Sequence, residues 1–317
     1  MINAVRNTVL SVLNKNNYGY ISPSDFNLFA KQAQMEIFEE YFSNYNKVIS
    51  AENIRTSGTG YADLNKPIEE TMESFSVTNF LSQFAGNIFY SPSVLTTGDD
   101  FYMINKVLCY PTILDTGTNT SVVVNQLVDS TGQFTTLGIV AKDIVVNTTT
   151  GNVARVVSVS SNTVIVLTAD IFTATPNNYA IIDSSVFKQV ERVSLSKISL
   201  LLNSNLTSPN NLFPAYSQEN NKLTVYPDTL TTKGQVEAQY FRHPKDPKWT
   251  YISLSGGEPV FDQSQPDYQD FELPLEDEYK LVTKILEYCG MSIRESEVTQ
   301  FGMIQQQHEE PTFSQQQ

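Results

Sequence analysis

Between about residues 115 and 185 the chain changes chemistry, and that change restricts the fold more than any other feature. The segment is nearly free of Lys and Arg and rich in Thr, Val, Ser and Asn. Short β-prone runs recur in it: Ser121–Leu127, Gly138–Val140, Asp143–Val146, Ala154–Ser160, Thr163–Thr168 and Tyr179–Ile182. β-Branched residues suit a pleated, half-buried surface. Strands this short, divided by turns, predict a small β-barrel or sandwich. Phe134, Leu137 and Phe172 are the expected filling. The segment reads as a domain inserted into a host of different character.

The host reads as helical before the insertion. Val5, Val9, Val12 and Leu13 recur at helical spacing, and Asn16, Asn17 and Gly19 interrupt them. Ser22-Pro23-Ser24-Asp25 then predicts a helix start. Ser22 is the cap, Pro23 the first helical residue, and Asp25 the acid of a capping box. Phe26, Phe29, Ala30, Ala33, Ile37, Phe38, Tyr41 and Phe42 form one apolar stripe behind it, dense enough in aromatics to pack in a core or on a neighbour. Residues 52–66 read as a loop, Pro67–Phe75 as a further helix, and 100–114 as a strand.

After the insertion, Val186–Val193 reads as a strand and Ser194–Leu206 as a helix bearing Leu195, Ile198, Leu201 and Leu202. Lys222–Val225 and Gln235–Phe241 read as a hairpin joined across Pro227-Asp228 and Gly234. A helix follows Pro274 with Tyr279, Leu281, Val282, Ile285, Leu286 and Cys289 on its apolar side, and Gly290 is the expected stop. A second helix is expected over Glu295–His308. The predicted organisation is a host in two parts, 1–114 and 186–300, an all-β insertion at 115–185, and a polar Gln-rich tail at 301–317. The tail is expected to be disordered in the free subunit.

Charge narrows the function. The net charge is −14, whereas a grip on nucleic acid needs Lys and Arg against phosphates. Catalytic patterns are thin. His243 and His308 are the two histidines, and neither sits in a nucleophile motif. The acids Glu69/Glu70/Glu73 and Glu272/Glu276/Asp277/Glu278 read chiefly as first-turn residues answering helix dipoles. Asn14, Asn16, Gly19 and Asp25 share the spacing of a Ca²⁺ loop, but Tyr18 stands where a ligand belongs and Asp25 is engaged as a cap. Ser57-Gly58-Thr59-Gly60 is not a phosphate loop. No metal and no cofactor is expected. Cys109 and Cys289 read as buried free thiols, which suits a reducing compartment. Met1–Leu13 lacks a secretory pattern, and no run approaches a membrane span. The expectation is assembly in a cytoplasm without membrane contact. The run Tyr240–Trp249 has three readings: core packing around Trp249, a subunit interface, or stacking of a nucleic-acid strand.

Three stretches resemble ring-forming structural proteins of short-tailed bacteriophages, most closely those of crAss-like phages, whose tails stack several such rings below the portal. One runs from Tyr18 through Ser22-Pro23-Ser24-Asp25-Phe26 to Phe42. The next joins Leu223-Thr224-Val225-Tyr226-Pro227 with Tyr240-Phe241-Arg242-His243-Pro244-Lys245-Asp246-Pro247-Lys248-Trp249. The third runs from Phe271-Glu272-Leu273-Pro274-Leu275-Glu276-Asp277-Glu278 to Arg294. The likeness covers roughly 1–110 and 186–300. The 115–185 segment resembles a small β-domain widespread in phage structural proteins, carried by Gly151-Asn152-Val153-Ala154-Arg155-Val156-Val157-Ser158-Val159 and Ala169-Asp170-Ile171-Phe172.

The resemblance implies an α+β chain: a helical connector-type host domain with a small antiparallel sheet, carrying the inserted β-barrel or sandwich. It implies a non-enzymatic virion role as a head-to-tail connector or tail-barrel subunit. The expected partners are eleven copies in a twelvefold homo-oligomeric ring, the portal, and the adjacent tail ring proteins. DNA would pass through the ring without specific binding. An alternative is a virion module that uses the β-domain to attach to a receptor or carbohydrate. Candidate interface residues are Phe38, Tyr41, Phe42, Tyr240, Arg242, Trp249 and Phe313. Candidate acids of a channel or surface are Glu272, Glu276, Asp277 and Glu278.

Overall fold

The computed structural model describes residues 1–14, 21–54, 66–253, 256 and 259–293. The chain is mixed α+β. Its contacts divide it into two compact units, one drawn from residues before Ser76 and after His243, the other from Ser76–His243.

The first unit contains helices α1 (Ile2–Asn14), α2 (Pro23–Ile54), α3 (Lys66–Glu73) and α5 (Glu278–Ile293), with a small hairpin of β16 (Tyr251–Ser253) and β17 (Pro259–Phe261). The cap of α2 forms as its sequence predicts. The Asp25 amide donates to Ser22 Oγ at 3.1 Å, and that hydroxyl donates to the Asp25 carboxylate at 2.6 Å. Phe26, Ala30, Ala33, Ile37, Phe38 and Phe42 are buried along one face. In α1 the buried set is Ile2, Val5, Val9 and Leu13, and Val12 is exposed. Asp270 holds the start of α1, accepting from the Met1 ammonium at 2.9 Å and the Ile2 amide at 2.7 Å. Burial raises the Asp270 carboxyl, and these donors outweigh burial, so it titrates below its ordinary value. Residues 52–54 belong to α2, and the rest of the expected 52–66 loop lies almost wholly outside the described residues. So do the expected helix at 295–308 and the 301–317 tail.

Gly290 does not stop α5, which continues to Ile293. A glycine costs a helix interior only about 1 kcal/mol. The burial of Leu281, Ile285, Leu286 and Cys289 on this helix exceeds that cost.

The second unit contains two sheets. The larger, among the described residues, has eight strands. They are β1 (Ser76–Phe80), β2 (Gln83–Ala85), β3 (Ile88–Tyr90), β4 (Phe101–Cys109), β12 (Lys188–Arg192), β13 (Ala215–Glu219), β14 (Lys222–Tyr226) and β15 (Val236–Arg242). Their order is β1-β15-β4-β12-β13-β14-β3-β2. This corrects the expectation of a small antiparallel sheet: the sheet is large, and β12 runs parallel to β13. A parallel pair needs a crossover, and helix α4 (Leu195–Leu202) lies in it. The expected hairpin is also corrected. β14 pairs with β13 across the turn at Asn220, whose φ is +51°, while β15 lies between β1 and β4. β13 reads Ala-Tyr-Ser-Gln-Glu, too polar to announce a strand. Leu81, Phe89, Val107, Cys109, Val190, Tyr216, Leu223, Val225, Val236 and Tyr240 form the core on this sheet.

The smaller sheet holds seven strands: β5 (Ile113–Thr118), β6 (Ser121–Val123), β7 (Gln126–Val128), β8 (Ile144–Asn147), β9 (Val153–Ser161), β10 (Val164–Leu167) and β11 (Asn178–Ile182), ordered β5-β11-β8-β9-β10-β7-β6. Ser121–Leu127 is two strands with a turn at Asn125, φ +56°, and Gly138–Val140 is turn rather than strand. Phe134 and Phe172 are fully buried inside this sheet, and Leu137 is exposed.

The two sheets are joined by more than the chain. Tyr110, Ile144, Val146 and Ile182 form a shared apolar cluster, with Phe80 and Val153 against it. Beside it the buried Glu237 carboxylate accepts from Tyr110 Oη at 2.6 Å and Arg155 Nη2 at 2.8 Å. Burial, then the bond to Glu237, pushes the Tyr110 hydroxyl up to about 12. Gly234, at φ +90°, lies against the same cluster: a Cβ there would come within 2.6 Å of Val146 Cγ2.

Candidate interaction surface

Most of the aromatic residues expected at an interface are internal. In the first unit Phe38 and Phe42 meet edge to face at 4.9 Å, and Phe38 meets Phe75 at 5.1 Å. Trp249 is 2% exposed. Its backbone is clamped by Asn27, which accepts from the Trp249 amide at 2.8 Å and donates to its carbonyl at 3.2 Å. Its indole N–H donates to Asn3 Oδ1 at 3.1 Å, and the Arg6 guanidinium lies 3.8 Å from the ring centroid. Trp249 therefore fastens α1 and α2 to the segment after Pro247, which is the core reading of the Tyr240–Trp249 run. In the second unit Tyr240 is fully buried and accepts from Asn79 Nδ2 at 3.1 Å. Side chains this enclosed have no surface to give a partner. Tyr41 and Arg242 are half-buried, and Arg242 donates to the His243 carbonyl at 3.2 Å. Phe313 lies outside the described residues.

The acids behave as anchors. Asp277 is buried, accepts from Tyr41 Oη, and lies 3.3 Å from Lys280 Nζ. Burial, and after it this bond, drives the Tyr41 hydroxyl far above its ordinary range. Glu272 accepts from the Lys245 amide at 2.8 Å, and its own amide donates to Gln34 at 3.0 Å. Glu278 is half-buried, and Glu276 alone of the four is exposed. A second ladder joins α2 to α5: Lys284 bonds Glu36 at 3.0 Å and Glu40 at 2.8 Å. Burial pulls the Lys284 ammonium down, and the two carboxylates outweigh it, so its affinity for a proton is raised.

Unpaired apolar surface is found elsewhere, in the second unit. Of the apolar side chains on α4, Ile198 is the one buried. Leu195, Leu200 and Leu202 are exposed, and so are Leu206, Leu212 and Phe213 in the return to β13. Leu200 is 71%, Leu206 93% and Phe213 76% exposed. An eight-residue helix is marginal alone, and this one has a single buried apolar side chain. A second feature is the loop after β3. Ser93 O accepts from the amides of Thr96, Thr97 and Gly98, and Val94 N donates to Asp100 Oδ1 at 3.0 Å. That network fixes a turn whose tip, Leu95, is 97% exposed. Sequence reasoning treated the α4 leucines as ordinary amphipathic positions and did not single out Leu95. The available signal was an isolated Leu or Leu-Phe in a polar run, as in Asn-Leu-Thr-Ser-Pro-Asn-Asn-Leu-Phe.

Other chemistry is sparse among the described residues. No group of three or more His, Cys, Asp or Glu is placed to hold a metal ion, and no helix is long and apolar enough to cross a membrane. His243 is half-buried, its ring edge-on to Tyr102 at 5.4 Å. Cys109 and Cys289 are buried and free, and burial pushes their thiols up to about 11 and about 12. A shallow groove of about 370 Å³ on the smaller sheet is lined by Thr116, Gly117, Thr118, Thr148, Asn178 and neighbouring residues. No family model matches this chain, and no curated protein matches it.

Proposed function

We propose that this chain is a structural ring subunit of a phage head-to-tail connector or tail barrel, assembled in the host cytoplasm and carried in the virion, with no catalytic role. The observation that carries the proposal is the apolar surface left on α4 and the residues after it, on a unit whose cores are otherwise filled. Large exposed apolar side chains grouped this closely along the chain, Leu195, Leu200, Leu202, Leu206, Leu212 and Phe213, suit a segment that a partner covers. The resemblance of 1–110 and 186–300 to ring proteins names the partner class: other copies, the portal and adjacent rings. On this reading the helices of the first unit belong to the connector-type host, and the smaller sheet is its insertion. A net charge of −14 suits a wall past which DNA must slide, since counterion release would otherwise hold it. Electron microscopy of the purified full chain tests the proposal. The expected particles are rings with rotational symmetry, twelvefold if the resemblance holds in detail. Single particles of 35.5 kDa at every concentration would contradict it.

A second reading, attachment through the smaller sheet, is favoured by the Thr- and Asn-lined groove beside Gly117. Glycan-array binding abolished by Asn178→Ala would support it.

A further inference from the structure

We infer that the C-terminal residues Pro311–Gln317 of a second copy add as a strand along the open edge of β4, with Phe313 in the groove beside it. The inference deepens the ring reading and rests on it for the neighbouring copy that supplies the segment.

The larger sheet forks at β4. β15 pairs with β4 along its whole length, from Phe101 to Cys109. β12 pairs with it only over Val107–Cys109, through Val190, Gln189 and Lys188. Beyond Val190 that strand turns to β13. Glu191 pairs with Ala215, Arg192 pairs with Tyr216, and the Val193 amide donates to the Tyr216 carbonyl at 2.8 Å. Met103–Lys106 therefore has a strand on one side and, among the described residues, none on the other. Met103, Asn105 and Lys106 are exposed. An open edge offers its main-chain donors and acceptors to an extended segment. A register shift between Ile104 and Lys106 bends β4 at this point, and a groove of about 370 Å³ opens in the fork. Its buried lining is Val107, Val190 and Tyr216, each at most 4% exposed, and its exposed lining includes Lys106, Glu191 and Arg192.

Charge and composition select the occupant. Neither Lys106 nor Arg192 makes an ion pair among the described residues. Two cations and one acid leave the groove net positive, on a chain whose net charge is −14. Lysine is one of the devices that keep an open edge from pairing indiscriminately. Two β4 edges meeting about a twofold axis would bring two such rims together, and like charges facing across a strand pair are destabilising. The segment after His308 supplies the opposite chemistry. It carries Glu309 and Glu310 and no Lys or Arg. Pro311 suits the first position of an edge strand, where no amide is needed. Thr312-Phe313-Ser314-Gln315 matches Met103–Lys106 in length, and no further Pro or Gly interrupts it before Gln317. Alternation puts Phe313 and Gln315 on one face of such a strand. Phe313 is the one aromatic residue in 309–317, and the groove has an apolar floor for its ring. Glu310 lies about 10 Å from Phe313 in an extended chain, within reach of Lys106 and Arg192 on the rim.

Disulfide trapping in mixtures of full chains tests the contact. One chain carries Asn105→Cys on the exposed edge, and the other carries Ser314→Cys. The native thiols are buried and do not compete. Oxidation is expected to give a covalent dimer at least tenfold faster than a control mixture of Leu137→Cys and Ser314→Cys chains. Charge reversal by Lys106→Glu with Arg192→Glu should abolish that excess. Glu309→Lys with Glu310→Lys in the partner chain should restore it, which a merely misfolded variant would not allow. Trapping no faster than the control would overturn the inference. So would trapping confined within a single chain that carries both cysteines, or trapping indifferent to the charge reversals. The ring reading is judged separately. Rings in the electron microscope without specific trapping would leave that reading standing and remove this contact. Specific trapping between chains that never close into rings would support the contact and sink the ring reading.

Discussion

In the seven-stranded sheet, Val145, Ala154, Ile165, Leu167, Phe172 and Ile181 turn inward, and Phe134 closes the interior. From Leu195 to Phe213 the same kinds of residue turn outward, with Ile198 the one buried member of α4. Both stretches carry Leu, Ile and Phe among Ser, Thr and Asn, and both belong to one compact unit. They differ in what their apolar residues touch. The sheet is held by its own chain, so its side chains set the stability of the subunit. The 195–213 stretch is exposed, and on the proposed reading a neighbour covers it, so its side chains would set association. Apolar content alone does not separate the two roles.

The sharpest way to break this comparison is to truncate one aromatic from each side. Phe172→Ala should lower the unfolding free energy by about 3–5 kcal/mol, read as a shift in the urea midpoint. Phe213→Ala should change monomer stability by less than about 0.5 kcal/mol. Equal effects would end the distinction. The next test is Gly234→Ala, which places a methyl group 2.6 Å from Val146 on a backbone at positive φ. It should cost about 1–3 kcal/mol through overpacking, and more if the backbone holds its shape.

A comparable loss is expected where the two sheets meet. Glu237→Ala leaves the Tyr110 hydroxyl and the Arg155 guanidinium without their acceptor, at a cost of about 1–3 kcal/mol for the buried group. A double-mutant cycle with Arg155→Met should show coupling. The smallest effect is in acid. Asp129 accepts from the Thr131 hydroxyl and amide and from Tyr179, and these bonds outweigh the upward pull of burial, so its folded value lies below 3.8. A depressed acid stabilises the fold above its unfolded value and loses that contribution as pH falls through the folded one. Asp129→Asn should therefore flatten the decline in stability below about pH 3.8. Chemical denaturation across pH 2–5 would show it, and an unchanged slope would assign that decline to other carboxylates.

Parts of this architecture were legible in the residues. Ser22-Pro23-Ser24-Asp25 announced α2, because a cap is a local interaction among four neighbours. The strands of 115–185 announced an all-β segment, because Val and Thr between turns leave few alternatives. The eight-stranded sheet was not legible. β1, β2 and β3 are short, β13 is polar, and the neighbours of β15 lie about 130 residues or more away, so no local pattern encodes the pairing. Trp249 showed the same limit in reverse. Its aromatic and basic neighbours suited an interface, and only the distant Asn3, Arg6 and Asn27 make it core. Leu95 carried no periodic signal, since its prominence depends on a turn closed by Ser93, Thr96, Thr97 and Asp100.

Hydrogen–deuterium exchange of the full chain over a range of protein concentrations tests the division between these two regions most directly. Amides from Leu195 to Phe213 should gain protection as concentration rises. Amides of Ile144–Asn147 and Asn178–Ile182 should be slow and indifferent to it. Exchange in 195–213 that is independent of concentration, up to the highest attainable, would contradict the account.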